Sequence, residues 1–235
     1  MKSAMPKVLH PLAGKPMVRH VLDAIAPLNP SKTVAVVGPG MSDVITAVSP
    51  NPTVTQEKLL GTANAVKVAS SSVQAVGADT VLILYGDTPL IRTETLSAML
   101  QARAEGAALV VLGFTPENPG AYGRLKLNTD GSLEAIVEAQ DASEAERAIK
   151  LCNSGVMAVD GSCLFDLVDQ VDNNNAKGEF YLTDIVALAR AREFECAVVK
   201  APAAELMGVD SRSVLAEAEA VWQTQRRIQA MDEGA

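Results

Sequence analysis

Two acidic residues stand where a protein could bind a magnesium ion. Asp87 follows the apolar run Val81-Leu82-Ile83-Leu84, and Asp210 lies in the segment Gly208-Val209-Asp210-Ser211. Carboxylate oxygens are the hard donors that Mg²⁺ prefers, and waters and phosphate oxygens would complete its octahedron. Aspartate is also common in turns and at helix N-termini. Spacing alone therefore leaves both interpretations open.

Further residues suit the binding of a nucleotide. Gln56 offers a donor and an acceptor that match a pyrimidine edge. Gly61 and Thr62 begin a predicted helix, whose first backbone N–H groups are free to bind an anion or a carbonyl. Lys7, held by the preceding Pro6, supplies a positive charge for phosphate. The plain alternatives are an ordinary strand-to-helix loop with a threonine cap and a solvated surface lysine.

Other chemistries find little support in the sequence. His10 and His20 are accompanied by no serine nucleophile elbow, no metal-spaced histidine pair and no P-loop. The sequence Gly-x-Gly-x-x-Gly is absent, which disfavours a dinucleotide cofactor. The three cysteines, Cys152, Cys163 and Cys196, are odd in number and far apart, which is typical of reduced thiols.

Charge and composition narrow the class of partner. The net charge of -8 and the pI near 4.8 argue against nucleic acid and against an anionic membrane surface, because both are bound through an excess of Lys and Arg. No apolar run reaches the ~18 residues of a membrane span. With 235 residues, 48% hydrophobic but only 3% aromatic, the chain suits one aliphatic α/β domain. We expect a cytoplasmic protein.

The elements that must position these residues follow from hydrophobic periodicity. The run 81–84 is predicted to be a strand buried on both faces, with Asp87 just beyond its carboxyl end, where ligands bind in open α/β sheets. Strands and helices alternate up to residue 114, which favours a parallel sheet. Asn128-Thr129-Asp130-Gly131 predicts a hairpin turn, Thr183 a helix cap, and Ser211 the start of a long amphipathic helix.

Ten short motifs that follow one another along the chain resemble, in their order, one known family: the pyrophosphorylase domain of bacterial N-acetylglucosamine-1-phosphate uridylyltransferases. Together they cover essentially the whole chain, and the asparagine triplet followed by Gly-Glu-Phe-Tyr-Leu-Thr-Asp separates this family from other sugar nucleotidyltransferases. The motifs are Pro6-Lys7-Val8-Leu9-His10, Leu12-Ala13-Gly14-Lys15-Pro16-Met17, residues 56–65, Leu84-Tyr85-Gly86-Asp87-Thr88-Pro89-Leu90, Tyr122-Gly123-Arg124, Ile136-Val137-Glu138, Asn153-Ser154-Gly155, Asn173-Asn174-Asn175, residues 178–184 and Gly208-Val209-Asp210-Ser211-Arg212.

The resemblance implies transfer of a uridylyl group from UTP to N-acetylglucosamine 1-phosphate, which yields UDP-N-acetylglucosamine, a precursor of peptidoglycan and lipopolysaccharide, and pyrophosphate. It also implies a Rossmann-like α/β fold, with a mixed, mostly parallel sheet and helices on both faces. Its implied site residues are Gln56, Gly61 and Thr62 for uracil; Tyr85, Gly86, Gly123, Glu138 and Asn153 for the sugar; Lys7 for phosphate; and Asp87 and Asp210 for Mg²⁺, with Lys7 and Asp87 as the catalytic pair.

The sequence also departs from the family pattern. The family usually has Asn at the position of Asp210 and Gly at that of Ala63. Family members begin with an apolar strand and a glycine-rich loop and continue into a β-helix with acetyltransferase activity. This chain begins at what resembles the last Met of that loop, so we expect the first strand of the sheet to be missing from it and Met1 to be an internal methionine of a longer reading frame. Without the β-helix, neither acetyltransfer nor an oligomer is implied. We expect a nucleotidyltransferase domain over residues 1–210 and a connecting helix over 211–235. The alternatives are an inactive relic that only binds a sugar nucleotide or a partner, and a nucleotidyltransferase for another sugar phosphate.

Overall fold

Helices cover both faces of a mixed β-sheet in the computed structural model, which describes residues 1–234. Within those residues the chain forms ten strands and nine α-helices. The strands are β1 (Pro11–Leu12), β2 (Lys15–Pro16), β3 (Ala35–Val37), β4 (Thr53–Thr55), β5 (Thr80–Ile83), β6 (Leu109–Phe114), β7 (Arg124–Leu127), β8 (Leu133–Val137), β9 (Cys152–Asp160) and β10 (Cys196–Lys200). The helices are α1 (Met17–Ile25), α2 (Ser42–Val48), α3 (Thr62–Val68), α4 (Ser70–Gln74), α5 (Thr93–Ala104), α6 (Glu144–Arg147), α7 (Leu164–Val168), α8 (Ile185–Ala191) and α9 (Arg212–Asp232).

The main sheet has the order β10-β6-β9-β7-β8, and β5 pairs with β9 as well. β10 and β6 pair in parallel, whereas β9 pairs antiparallel with β5, β6 and β7. β7 and β8 form the predicted hairpin, in which Arg124 lies opposite Val137. β3 and β4 form a separate parallel pair, and β1 and β2 a short antiparallel one. The predicted α/β class with helices on both faces is confirmed.

Two hydrophobic clusters lie on opposite faces of the main sheet. The α8-side core contains Leu109, Val111, Met157 and Val159 of the strands, with residues of α7 and α8. The α5-side core contains the alternate strand residues Val110, Leu112 and Ala158, with Leu96 and Met99 of α5. This alternation is the two-residue period of a strand that is covered on both faces. The three cysteines are buried free thiols, as predicted.

The strand before Asp87 has both faces covered, as predicted, because Val81 and Ile83 pack on one core and Leu82 on the other, but its burial is incomplete. All four residues of β5 are only partly buried, whereas all six residues of β6 are buried. The reason is its place in the sheet: within residues 1–234, β5 has β9 as its only strand partner and leaves its other edge unpaired. Aliphatic composition is the same for a central strand and for an exposed edge, so sequence does not distinguish them.

Helix α9 begins as predicted after Ser211, whose hydroxyl accepts a hydrogen bond from the backbone N–H of Val214 at 3.2 Å. Ala218 is fully buried in a cluster with Leu12, so the first half of α9 packs on the domain. The division at residues 210 and 211 stays a prediction, and Ala235 lies outside the described residues. None of the helices in residues 1–234 combines the length and the apolar character needed to cross a bilayer.

Candidate active site

The chain after β5 and the loop before α9 are joined by backbone pairing. The backbone N–H of Val209 donates to the carbonyl oxygen of Asp87 at 2.9 Å. Asp210 follows directly, so the two predicted metal ligands lie in adjoining segments at one edge of the domain. Burial is the main cause that raises the pKa of Tyr122; a hydrogen bond with the Gly208 backbone opposes that rise, and the charges of Asp210 and Asp87 add to it.

Lys7 forms an ion pair with Asp87 through its Nζ and the carboxylate Oδ2. The lysine lies in the short 3₁₀ turn Lys7–Leu9, directly after Pro6. Its side chain is 42% exposed and that of Asp87 is 21% exposed, so solvent reaches both partners. The positive charge predicted to meet phosphate therefore already lies beside the carboxylate predicted to bind the metal.

Tyr85 lies at the centre of the site. Burial, and then the negative charges of Asp87 and Glu138, raise the pKa of Tyr85 to about 12, and a hydrogen bond with the Thr62 side chain opposes that rise. Its ring packs on the backbone of Gly155, where a Cβ atom would stand only 2.6 Å from the Tyr85 Cε2. The phenol thus stays protonated at neutral pH, and its ring lies against the strand that carries Asn153.

The predicted sugar residues from β8 and β9 meet beside Gly123. The backbone N–H of Asn153 donates to the carbonyl oxygen of Gly123 at 2.8 Å. A Cβ atom on Gly123 would lie 3.5 Å from the Glu138 Oε1 and 3.6 Å from the Asn153 Cβ. The Asn153 Oδ1 accepts from the backbone N–H of Gly155 at 2.9 Å, which fixes the amide. The Glu138 carboxylate and the Asn153 amide therefore flank the backbone of Gly123, where a side chain would have little room.

The Glu138 carboxylate is held by Thr183, which the sequence predicted to be a helix cap. Burial raises the pKa of Glu138, and the hydrogen bond from the Thr183 hydroxyl, at 3.1 Å, opposes that rise. Thr183 was predicted to cap a helix, but it lies inside the 3₁₀ turn Leu182–Asp184, and no side chain caps α8. The threonine orients the Glu138 carboxylate instead.

The predicted uracil loop forms a closed hydrogen-bond network. Gln56 is buried, and its Nε2 donates to the carbonyl oxygen of Gly61 at 3.0 Å and to the Asn64 Oδ1 at 2.9 Å. The Thr62 hydroxyl accepts from the backbone N–H of Leu182 at 2.9 Å. The loop is thereby fixed to the segment that follows the asparagine triplet.

Gly61 is required by its conformation and by its neighbour. Its φ is +112°, where side chains are strained, and a Cβ atom would stand 2.5 Å from the Phe180 carbonyl oxygen. The backbones of the two segments also pair, because the N–H of Phe180 donates to the oxygen of Leu60 at 2.8 Å, and the N–H of Ala63 donates to that of Phe180 at 2.9 Å. The φ of Ala63 lies in no left-handed region, so this departure from the family pattern costs no backbone strain.

Sequence reasoning assigned no site role to Gly155, Thr183 and Phe180, although all three lie in the motifs that carry the resemblance. Gly155 has a φ of +88°, which is unusual within a strand, and an isolated glycine in a strand often marks a close approach of another group. That signal was available in the sequence. The contacts of Thr183 and Phe180 depend on long-range packing and had no local signal.

The two carboxylates fit a magnesium ion that is bound together with a substrate. Mg²⁺ typically takes one or two carboxylates and completes its shell with phosphate oxygens and water. Asp87 is partly exposed and Asp210 is exposed, so both are accessible from the site. Residues 1–234 contain no cluster of three or more acidic, histidine or cysteine side chains suited to a metal. The site therefore suits a metal that arrives with a phosphate ligand.

Comparisons with known proteins show the family of this chain. Residues 1–158 match the model of the MobA-like NTP transferase domain. The chain is 59% identical to "Bifunctional protein GlmU" of Rhodospirillum rubrum and 54% identical to that of Paramagnetospirillum magneticum, in each case over 100% of this chain. It spans about half the length of these relatives, 53% and 52% respectively.

A solved structure with low sequence identity supports the fold. The structure of a CMP:2-keto-3-deoxy-manno-octonic acid synthetase complexed with CTP superposes with a TM-score of 0.67 and covers 95% of this chain and 94% of that chain. The two sequences are only 17% identical, so this likeness concerns the fold alone. The assignment rests on the family match and on the identity to the two relatives over the whole of this chain: the chain belongs to the family of MobA-like NTP transferase domains.

Proposed function

We propose that this site transfers a uridylyl group from UTP to N-acetylglucosamine 1-phosphate, and so forms UDP-N-acetylglucosamine and pyrophosphate in the cytoplasm. The observation that carries the proposal is a continuous set of contacts between the predicted uracil loop and the predicted sugar residues. Gln56 bonds to Gly61, and Thr62 bonds to Leu182. The adjoining Thr183 bonds to Glu138, which lies with Asn153 beside Gly123. The identity of 59% over the whole chain to a bifunctional relative supports it.

Gln56 would select the base. Both hydrogen bonds of its Nε2 are made within the protein, to Gly61 and Asn64, which leaves the amide oxygen to accept from a ligand. Uracil carries an N3–H donor, whereas cytosine has an acceptor at N3. We therefore expect UTP to be preferred over CTP. A site that loses a buried hydrogen bond with the wrong ligand rejects it strongly.

The sugar phosphate would bind on the other side of Tyr85. Glu138, Asn153 and the backbone of Gly123 offer acceptors and donors suited to sugar hydroxyl and acetamido groups. Because Thr183 holds the Glu138 carboxylate, the acceptor is oriented before the sugar arrives. Tyr85, with its raised pKa, remains a neutral donor there.

The reaction needs no nucleophile from the protein. An oxygen of the sugar phosphate attacks the α-phosphorus of UTP, a new P–O bond forms, and the bond to the β-phosphate breaks with release of pyrophosphate. A magnesium ion bound to Asp87 and Asp210 would neutralise phosphate charge. Lys7 would leave Asp87 and pair with phosphate, so the protein contributes position and charge.

Pyrophosphate release from UTP, Mg²⁺ and N-acetylglucosamine 1-phosphate tests this function. We expect turnover with these substrates, and at least tenfold less with CTP or with glucose 1-phosphate. Lys7→Gln should reduce turnover strongly. Lys67→Gln is the matched control, because it removes an ion pair of similar type, 2.8 Å to Asp169, on an exposed surface. Equal turnover with another sugar phosphate would assign the site to that sugar.

The second candidate is binding of a sugar nucleotide without turnover. The observation that favours it is the ion pair between Lys7 and Asp87, which occupies the carboxylate that transfer requires for its metal. Calorimetry with UDP-N-acetylglucosamine distinguishes the two: saturable binding without pyrophosphate release would support the binding function and contradict transfer.

A further inference from the structure

Glu205 is a buried carboxylate to which the proposed reaction gives no role. It lies in the 3₁₀ turn Ala203–Leu206, shortly before Asp210, and only 4% of the residue is exposed. Its Oε2 accepts a hydrogen bond from the Thr95 hydroxyl at 2.5 Å, and its Oε1 lies 3.9 Å from the Arg92 Nη1. Burying a carboxylate costs free energy unless a partner holds it. The hydrogen bond from Thr95 therefore decides where this side chain can lie.

The hydrogen-bond donor belongs to the segment that follows Asp87. Thr95 lies in the first turn of α5, and residues 88–91, which connect Asp87 to that helix, are all buried. The backbone N–H groups at the start of a helix carry a partial positive charge, so a carboxylate beside the first turn is stabilised there. Glu205 is thus tied to the segment of Asp87 both by a hydrogen bond and by the charge of the helix.

Apolar side chains pack on either side of this hydrogen bond. Leu206, the residue after Glu205, is buried in the α5-side core together with Ile91. Val209 is fully buried in a cluster with Leu90. In such surroundings a hydrogen bond is stronger, and its loss costs more, than at the surface. The two segments therefore meet along an apolar interface in which Glu205 is buried.

Two hydrogen bonds join the segment of Asp210 to that of Asp87. At one end Thr95 donates to Glu205. At the other end the backbone N–H of Val209 donates to the carbonyl oxygen of Asp87 at 2.9 Å, beside the two carboxylates proposed for the metal. A magnesium ion requires nearly ideal octahedral geometry, so its ligands must be held within about 0.5 Å of the right positions. A bond at one end alone would leave the segment of Asp210 free to pivot.

We propose that Glu205 is a positioning residue of the metal site. Its hydrogen bond from Thr95 fixes the segment of Asp210 against that of Asp87 and so sets the separation of the two carboxylates. Because Glu205 is buried, it acts through these aspartates and not by contact with substrate. This role rests on the proposed function for the metal, but the joining of the two segments does not depend on what the site binds.

Electron paramagnetic resonance of Mn²⁺, which prefers the same oxygen ligands as Mg²⁺, tests this role. Thr95→Val removes the donor and Glu205→Ala removes the acceptor, and each should weaken Mn²⁺ binding about tenfold or more. Glu205→Gln keeps an oxygen that can accept from Thr95, so it should recover most of the affinity that Glu205→Ala loses. Unchanged Mn²⁺ affinity in Thr95→Val and Glu205→Ala would contradict the positioning role, and the measurement needs no turnover.

Asp160→Asn is the matched control. The Asp160 carboxylate likewise has a hydroxyl and an arginine as partners, the Ser162 Oγ at 2.5 Å and the Arg103 Nη2 at 2.8 Å. It lies opposite Thr80, at the start of β5 and thus at the end of that strand away from Asp87. We expect this variant to lower the free energy of unfolding without changing Mn²⁺ affinity. An equal loss of Mn²⁺ affinity in the control would indicate general destabilisation and would also contradict the positioning role.

Hydrogen exchange measures the joining of the two segments directly, without a metal. The Val209 amide should exchange about tenfold or more faster in Thr95→Val and Glu205→Ala, relative to the Val111 amide in the core of the sheet. Unchanged Val209 exchange in both variants would overturn the role of Glu205, even if the chain transfers uridylyl groups. If the unsubstituted chain binds no Mn²⁺, the metal site of the proposed function is contradicted, and the Val209 exchange alone then decides whether Glu205 joins the segments.

Discussion

Replacing Gly155 by alanine should damage the centre of the site, and the chain offers a matched control. Gly155 has a φ of +88° and Gly131 a φ of +86°, so both substitutions impose a similar backbone strain. That strain costs about 1–2 kcal/mol per residue. They differ in their surroundings: a Cβ atom on Gly131 meets nothing within 4 Å, whereas on Gly155 it stands 2.6 Å from the Tyr85 ring.

The clash with Tyr85 adds a cost that the control lacks. Forcing an extra carbon into a packed region costs about 1–3 kcal/mol. We therefore expect Gly155→Ala to lower the free energy of unfolding by about 2–5 kcal/mol, against about 1–2 kcal/mol for Gly131→Ala. Urea denaturation measures both values, and the KM for the sugar phosphate should rise only in the Gly155 variant, because Tyr85 is displaced.

A double substitution tests the stated cause. Tyr85→Ala removes the ring that the new methyl group meets, so Gly155→Ala in that background should cost no more than Gly131→Ala. Residues in contact show this kind of non-additivity. If Gly155→Ala cost the same with and without Tyr85, or were as mild as Gly131→Ala in the unchanged chain, the role assigned to the contact between Tyr85 and Gly155 would be refuted.

Three further predictions concern charges in the site. Burial, and then the charge of the nearby Asp172, raise the pKa of Asp184 to about 6. Because the folded state holds that proton more tightly than the unfolded chain does, the stabilising effect of the bound proton is complete below pH ~3.8 and is lost as the pH rises through about 6. Asp184→Asn should therefore stabilise the fold at pH 7.5, by no more than about 1 kcal/mol given its exposure to solvent, and leave it unchanged at pH 4; a pH-independent difference in urea denaturation would contradict this. Lys7→Gln should change the free energy of unfolding by less than about 1 kcal/mol but strengthen Mn²⁺ binding to Asp87, which electron paramagnetic resonance measures. An unchanged Mn²⁺ affinity would count against the idea that Lys7 and the metal ion compete for the Asp87 carboxylate. Glu138→Gln should keep or raise stability, since it removes a buried charge, while the KM for the sugar phosphate rises about tenfold or more; an unchanged KM would remove Glu138 from the sugar site.

Much of the fold follows from local signals in the sequence. The turn 128–131 predicts the hairpin of β7 and β8, and Ser211 predicts the start of α9, because turn and cap residues act within a few positions of themselves. The alternation of predicted strands and helices up to residue 114 likewise predicts the α/β class. In these segments the local conformational preference and the tertiary structure agree, so the sequence pattern is sufficient to predict the element.

Other features depend on contacts that no local pattern records. β5 reads as a fully buried strand, yet its burial depends on which strand lies beside it. The ends of the short helices α6 (Glu144–Arg147) and α7 (Leu164–Val168) likewise depend on packing, which local sequence does not record.

The predicted site residues came from the resemblance more than from spacing. The structure brings Asp87 and Asp210 into adjoining segments and groups Tyr85, Glu138 and Asn153, although these residues are widely separated in sequence. The isolated glycine at position 155 signals that some group approaches its strand but not that the group is Tyr85, and nothing in the local sequence of Thr183 reveals that it orients Glu138. Their roles depend on the tertiary arrangement.

The most direct test of the proposed function is the identity of the product. The chain would be incubated with UTP, Mg²⁺ and ¹³C-labelled N-acetylglucosamine 1-phosphate, and the nucleotide fraction analysed by mass spectrometry. The proposed function predicts labelled UDP-N-acetylglucosamine and an equal amount of pyrophosphate. Intact UTP with no labelled nucleotide sugar would contradict uridylyl transfer by this chain.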